Sequence, residues 1–421
     1  MERKDLYFVL FEQQKDFEQI KNLVDREKSD EIIKLKSLKM PIIITGVRRC
    51  GKSSLLKIIK DKLNLKEKEY LYIDFNDERL VNFSIDDFQK IIDFLDENDY
   101  KKNCILFLDE IQESDKWEKW VERIRDKHVI FISGSNSKLL SKEISTILTG
   151  RSINFSLYPF SFREFLKSKN VSIENWKISL KEQSEIRKNF DKYLESGGFP
   201  QRVISNQGII VSELYENILY RDIIVKFNKN LVKPIKEISL YLLSNITSLI
   251  SLRTLSSFSG VKNIFTMRRI LDAFENAFLY FYTGKFDYSV KKQIQNPKKI
   301  YSIDNGFCTS LGFRFAQNKG NLLENFVAVE LKRRGKDIYY YKEKSECDFI
   351  IKEKLKIVEV IQVCFNLDEK NEKREFKGLL EAINKFNLKK GNILTHNQEK
   401  ELKIGNKKIV VTPVWKWSLE E

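Results

Sequence analysis

Cysteine is scarce. The 421 residues hold five, Cys50, Cys104, Cys308, Cys347 and Cys364, with no C-x-x-C pair among them. That spacing provides neither a disulfide framework nor a zinc site, so a reducing cytoplasm is the expected compartment. Long apolar runs are also missing. No stretch approaches the roughly 18–20 residues that a bilayer-spanning helix needs, and no membrane partner is expected. The opening residues, MERKDLYFVLFEQQKDFEQ, flank a very short apolar patch with charges. They lack the apolar core and small-residue cleavage site of a secretory leader, and none is expected. What the chain does contain is material for packed domains. Hydrophobic residues make up 42% and aromatics 12%, which excludes a disordered polyelectrolyte, and the length suffices for two or three domains. The formal net charge is +15. A basic balance of this size suits a polyanionic partner, yet the lysines are spread among many glutamates as on ordinary solvated surfaces.

Residues 41–57, PIIITGVRRCGKSSLLK, carry the sharpest motif. An apolar run from Pro41 to Thr45 reads as a short buried strand, and a helical pattern begins at Ser54. Between them Gly46-Val47-Arg48-Arg49-Cys50-Gly51-Lys52-Ser53 fits G-x-x-x-x-G-K-[ST] in its required strand-to-helix context. The two glycines let the backbone wrap a phosphate so that successive N–H groups point inward. The following helix adds partial positive charge at its N-terminus. Lys52 is positioned for the β- and γ-phosphates, and the Ser53 hydroxyl for a nucleotide-bound Mg2+. Residues 46–54, including Ser54, are therefore the expected cradle for a nucleoside triphosphate.

The segments around the motif extend it. Residues 5–40 read as helical, with Phe8, Phe11, Phe17, Ile20 and Val24 at helical spacing. A buried strand is expected over 69–75, a helix over 84–97, and a second strand at Cys104-Ile105-Leu106-Phe107-Leu108-Asp109 followed by Glu110. An acid pair closing a strand about 60 residues after a phosphate loop is the expected partner of that loop. Asp109 would hold Mg2+ through water, and Glu110 would polarise the attacking water as catalytic base. A further strand, His128–Ser133, leads into Gly134-Ser135-Asn136-Ser137, where Ser135 and Asn136 are candidates to bond the γ-phosphate or the water. Arg151, in Thr149-Gly150-Arg151, is placed as a phosphate-reaching arginine. Alternating strands and helices through about residue 157 indicate a parallel, doubly wound sheet.

Taken in order, GVRRCGKSS, FLDEIQE, SGSNSKLLS, LTGRSINFSLYPFSFREF, GGFP (197–200) and LYRDII (219–224) resemble prokaryotic, especially archaeal, ATPases with an AAA-type N-terminal module and a DUF4143-like C-terminal half. The resemblance covers nearly the whole chain. It implies an α/β fold: an AAA+-like P-loop NTPase sheet, then a helical and winged-helix module and a small restriction-endonuclease-like domain. It further implies ATP and Mg2+ as ligands, with Lys52 and Ser53 in Walker A, Asp109 and Glu110 in Walker B, and Asn136 or Ser135 as first sensor. Arg151 and Arg221 stand at the family's recurring GR and YRD positions.

The second half is less direct. Residues 160–195 read as helical, and Lys233-Pro234 as a linker. Helices over 235–248, Leu252–Ser259 and 263–280, followed by the basic stretch Val290-Lys291-Lys292-Gln293, resemble a winged helix whose third helix reads DNA. Arg253, Arg268, Arg269, Lys291 and Lys292 are the expected phosphate contacts. Winged helices also dock proteins, and both readings stand. From Asn321 an amphipathic helix, strands at Asp337–Lys342, Cys347–Lys352 and Lys356–Val363, and a helix near Lys373 look like a PD-(D/E)xK nuclease-like domain. Glu324 and Asp348 fit its acids. Where E-x-K is expected the chain reads Gln362-Val363-Cys364, and shifting to Glu359-Val360-Ile361 still lacks the lysine, so an active and a degenerate centre both stay open. The expected domains are 1–157, 158–232, 233–310 and 311–421. Three functions follow: an ATPase that switches a DNA-binding module, an ATP-gated nuclease, or an ATP-binding scaffold for a protein partner, with self-association open in each case.

Overall fold

The computed structural model describes residues 1–135, 151–205, 209–312 and 319–420. The chain divides into two units, Met1–Tyr158 and Pro159–Glu421.

Five short strands form the centre of the first unit: β1 (Ile42–Thr45), β2 (Tyr70–Asp74), β3 (Ile105–Asp109), β4 (Val129–Gly134) and β5 (Ile153–Ser156). Their order is β2-β3-β4-β1-β5, and every neighbouring pair is parallel. Both faces of such a sheet are covered, which is why β1 and β3 are apolar almost without interruption. One face packs Leu71, Ile73, Leu106 and Leu108 against α1 (Arg3–Gln19), α4 (Asp87–Glu97) and α5 (Trp117–Ile124), through Leu10, Ile91, Phe94 and Trp120. Each such side chain contributes about 1.5–3 kcal/mol by leaving water. The period of two then turns Asp109, next to Leu108, to the opposite face. α2 (Ser29–Leu35) and α3 (Lys52–Lys62) complete the described helices of this unit that the site uses.

The structure corrects the reading of the N-terminal helix. The buried stripe is Leu6, Val9, Leu10, Gln13 and Phe17, while Phe8 and Phe11 are exposed. Helix α1 stops at Gln19, and the non-helical stretch before α2 carries Arg26 into the interior at 3% exposure.

The second unit begins with helices Phe162–Ser168 and Leu180–Ser196, separated by a non-helical stretch where continuous helix was expected. Helices Pro200–Ser205 and Ile209–Asn217 run into a π-helical turn, Ile218–Ile223, that holds Arg221 at the surface. Lys233 and Pro234 are not a linker. They lie in the first turn of helix Val232–Ser244, where proline has no intrahelical N–H bond to lose. Helices Leu252–Ser259 and Ile264–Asn276 follow, and three antiparallel strands, β6 (Leu249–Ile250), β7 (Tyr280–Thr283) and β8 (Lys298–Ser302), pair in the order β6-β8-β7. The basic stretch 290–293 is part of a short exposed helix, Val290–Gln295, between β7 and β8.

A mixed six-stranded sheet ends the unit: β9 (Asp337–Lys342), β10 (Glu346–Glu353), β11 (Lys356–Val363), β12 (Lys390–Thr395), β13 (Lys400–Ile404) and β14 (Lys407–Pro413), in the order β13-β14-β12-β11-β10-β9. Helix Lys319–Arg333 is not amphipathic as expected. Every residue from Leu322 to Leu331 is buried, Glu324, Asn325 and Glu330 included. A helix enclosed on all sides must satisfy its polar groups internally. Asn325 does so by donating to Ser302 O at 3.0 Å and accepting from Ser302 N at 2.8 Å.

Candidate nucleotide site and acidic cluster

The loop after β1 is shaped by local backbone requirements. Gly51 sits at φ +100° and immediately precedes α3, a conformation that side chains disfavour. Gly46 tolerates no Cβ, because that atom would meet Leu157 O at 2.2 Å and Cys50 Sγ at 2.9 Å. Arg49 adopts φ +62° in the same turn. Arg26 braces the loop from behind, donating to Cys50 O at 2.9 Å and to Tyr158 O at 2.7 Å.

Lys52 points into this turn and is 5% exposed. Its ammonium donates to Gly46 O (3.2 Å), Val47 O (3.4 Å) and Ser135 Oγ (3.1 Å), and pairs with Glu110 at 3.3 Å. Glu110 in turn accepts from Ser135 N (2.9 Å), Ser135 Oγ (2.5 Å) and Gln112 Nε2 (2.6 Å). Burial pushes the Glu110 carboxyl up, but Lys52 and these donors more than offset it, holding it down to about 2. Asp109 behaves oppositely. Burial, then the charge of Glu110, raises it above the usual range. It accepts from Tyr72 OH at 2.9 Å and from the hydroxyls of Ser133 and Ser53.

Lys52, Ser53, Asp109, Glu110 and Ser135 thus converge from three elements, because β4 lies between β1 and β3 and delivers Ser135 between the loop and the acids. Asn136, the other sensor candidate, lies outside the described residues. Gly46, Val47 and Cys50 are buried in the loop; Arg48, Gly51, Ser53 and Ser54 are half-buried, and Arg49 is exposed. The donor set fits the expected ligands. A buried ammonium, a helix N-terminus and successive loop N–H groups suit phosphate, and a hydroxyl beside a buried carboxylate suits a hard cation.

Arg151 does not join this group. It precedes β5, pairs with Glu122 on α5 and is 55% exposed. In a parallel sheet that position is the N-terminal end of the strands, whereas the loop leaves the C-terminal end. Roughly 15–20 Å of strand separates them, beyond the reach of an arginine to phosphate on the same chain. Sequence reasoning also missed residues that the site uses: Tyr72, Ser133, Arg26 and Asp74. Asp74, paired in register with Asp109, is pushed up to about 7 by burial and by the charge of Asp109. The signal for Tyr72 and Ser133 was available, since both lie on the Asp109 face by strand alternation.

A second cluster lies in the other unit. Glu324, on the buried helix, and Asp348, on β10, do come together, and Glu346 joins them. Lys299, the second residue of β8, occupies their midst. Its ammonium is 2.8 Å from Glu346, 2.9 Å from Asp348 and 3.2 Å from Glu324. Gln362 does not face Lys299. Its Oε1 accepts from Asp348 N at 3.2 Å, and its Nε2 donates to Glu375 at 2.7 Å. Glu359 lies apart, accepting from Asn392 at 2.6 Å. Burial, then the Asp348 charge, pushes Glu324 up to about 8. Among the described residues no group of three or more His, Cys, Asp or Glu is arranged to hold a metal ion.

The all-parallel sheet with its phosphate loop between β1 and α3 defines a P-loop NTPase fold, and comparison with known families agrees. Residues 38–166 match an AAA domain, residues 187–318 a domain of unknown function (DUF8612), and residues 319–417 a domain of unknown function (DUF4143). An uncharacterized protein of Methanocaldococcus jannaschii is 37% identical over 397 residues, covering 90% of this chain and 88% of its own. An uncharacterized protein of Haemophilus influenzae is 31% identical over 364 residues, covering 83% and 88%. The chain belongs to this family of archaeal and bacterial proteins and itself carries an AAA domain at the N-terminus and DUF4143 at the C-terminus. Solved structures are more distant. A signal transduction ATPase with numerous domains from Pyrococcus horikoshii is 12% identical, with TM-score 0.28, over 73% of this chain and 45% of that one. The replication initiator DnaA bound to AMPPCP and single-stranded DNA is 18% identical, with TM-score 0.24, over 60% and 90%. The AAA-domain match supports nucleotide binding. No described helix is long and apolar enough to cross a membrane.

Proposed function

We propose that the chain is a Mg2+-dependent ATPase whose nucleotide state is transmitted to a DNA-binding module in the second unit. The observation that carries the first part is the convergence of Lys52, Ser53, Asp109, Glu110 and Ser135 around one phosphate loop. Lys52 and the loop N–H groups bind the phosphates, and Ser53 with Asp109 holds the metal. Glu110 takes the proton of the attacking water once the γ-phosphate draws Lys52 away from it. When bound, Mg2+ supplies neutralisation of charge on the phosphate oxygens. Lys52→Ala should abolish ATP binding, and Glu110→Gln should retain binding while turnover falls by about 10²-fold or more. Unchanged turnover in either variant refutes the assignment.

The DNA-binding part rests on three helices and a three-stranded antiparallel sheet that surround exposed Arg253, Arg268, Arg269, Lys291 and Lys292. Winged helices share this order of elements. Binding through such residues weakens with salt, and each phosphate contact removed should lower the logarithmic slope by about one. Salt-insensitive binding, or none, excludes DNA. A protein partner is the second reading. It is favoured by Ile264 and Phe265, which open the third helix at 52% and 76% exposure where a purely polar tip would suit phosphate.

A further inference from the structure

We infer that the Lys299 ammonium is the resident cation of the Glu324–Glu346–Asp348 centre, excluding divalent metal from it and making it a charged joint between the three-stranded and six-stranded sheets. The inference is independent of the nucleotide site.

The ammonium is saturated. An ammonium has three hydrogens and no acceptor, and Lys299 faces three different carboxylates at 2.8–3.2 Å. Further donors hold the same carboxyl groups. Asp348 Oδ2 accepts from Val363 N at 3.0 Å, Glu346 Oε2 pairs with Lys342 at 3.0 Å, and Glu324 Oε1 also accepts from Tyr301 OH at 2.9 Å. A hard cation would need these same oxygens at about 2.0–2.2 Å, in the space that Nζ fills. The remaining residue expected as a ligand, Gln362, is turned toward Asp348 N and Glu375.

Burial points the same way. Lys299 is only 3% exposed, so a divalent ion added beside it would place two cations in one buried site. The lysine arrives by strand alternation: Lys298 faces solvent, so Lys299 faces inward. It bridges 49 residues of sequence to Asp348, tying β8 to β10 and to the buried helix.

The rival arrangement is a hydrolytic centre in which Lys299 stands in for the missing lysine of the E-x-K motif. The two differ in metal uptake. The test is Mn2+ titration of the full-length, nucleotide-free protein, read by electron paramagnetic resonance and thermal unfolding, with Mn2+-dependent cleavage of plasmid DNA measured alongside. Wild type and Glu324→Gln should take up equal amounts of Mn2+ and leave DNA intact. Lys299→Met should melt lower than wild type and gain about one extra ion per chain. That ion should raise its melting temperature and be lost again in Lys299→Met/Asp348→Asn. Loss of a bound ion from wild type on Glu324→Gln overturns the inference, as does DNA cleavage by wild type that Lys299→Met abolishes. A folded Lys299→Met that gains no ion also overturns it. If Lys299→Met does not fold, wild type against Glu324→Gln decides alone: equal uptake supports the inference, and a lost ion refutes it.

Discussion

Lys52 is expected to stabilise the protein before any nucleotide binds, and its removal should show this without an activity assay. The ammonium is 5% exposed and lies 3.3 Å from Glu110, whose side chain is 19% exposed. Removing one partner of a buried ion pair costs about 3–5 kcal/mol, because the other charge is left uncompensated. Glu110 retains Ser135 N, Ser135 Oγ and Gln112 as donors, so the cost should fall just below that range, about 2–3 kcal/mol. Lys52→Met keeps the volume of the stem and isolates the charge. For a unit of this size that corresponds to roughly 4–10 °C in melting temperature. The pH dependence gives a second check. Because Glu110 is held down to about 2, its contribution is complete above the usual carboxylate range of about 4–5 and disappears as pH falls through 2. In Lys52→Met the ammonium no longer helps to hold the carboxyl down, so the deficit should be greatest near neutrality and narrow toward acid. Chemical denaturation followed by circular dichroism, with Glu110→Gln and the double variant, closes a mutant cycle. The pair should couple by about 1–2 kcal/mol, the double variant recovering part of the loss. A Lys52→Met protein melting within about 1 °C of wild type, or strictly additive variants, refutes the reasoning.

Gly46→Ala places a methyl 2.2 Å from Leu157 O and should cost about 1–3 kcal/mol by forcing β1 and the β5 exit apart, with ATP affinity falling in parallel by calorimetry. Arg26→Ala removes two charge-assisted bonds to Cys50 O and Tyr158 O. It should raise the KM for ATP and speed hydrogen exchange in residues 46–52, since about 1.5–3 kcal/mol is at stake in each bond. Asp304 accepts from Gly198 N at 2.6 Å and Gly306 N at 2.8 Å, and burial pushes its carboxyl up to about 6. The folded protein therefore holds a proton that the unfolded chain releases, so stability should fall as pH rises from about 4 to 6. In Asp304→Asn that slope should vanish, and urea midpoints across the window measure it.

The first unit was legible because its signals are local and agree with one another. Four consecutive apolar residues, a glycine-framed turn and an amphipathic helix occupy adjacent positions, so β1, the loop and α3 needed no tertiary information. The acid pair at 109–110 was legible for the same reason. Arg151 was not. A motif gives a residue type and an order, but whether that residue reaches the loop depends on which end of a parallel strand it precedes. Arg26 was hidden by a similar limit. Nothing in Val24-Asp25-Arg26-Glu27 distinguishes a surface arginine from one that enters the interior where a helix ends. The GGFP segment becomes intelligible only with Asp304, which accepts from Gly198 N across 106 residues of sequence.

Lys299 marks the same boundary between local and non-local information more sharply. The motif for a hydrolytic centre looks for its lysine two residues after an acid, and in that frame residues 362–364 are simply deficient. A buried carboxylate cluster nevertheless requires positive charge from somewhere, because unpaired charges in low dielectric cost several kcal/mol each. That requirement constrains the fold, not the frame. It is met here from β8, a strand of a different sheet. Searching for the counter-charge among all inward-facing strand lysines, rather than within the motif, would have singled out Lys299, which follows exposed Lys298 in a strand otherwise made of Ile300, Tyr301 and Ser302, all buried. The absence of the motif lysine was therefore evidence about where the cation comes from. The effect on metal binding follows from the carboxylate that each ammonium hydrogen engages.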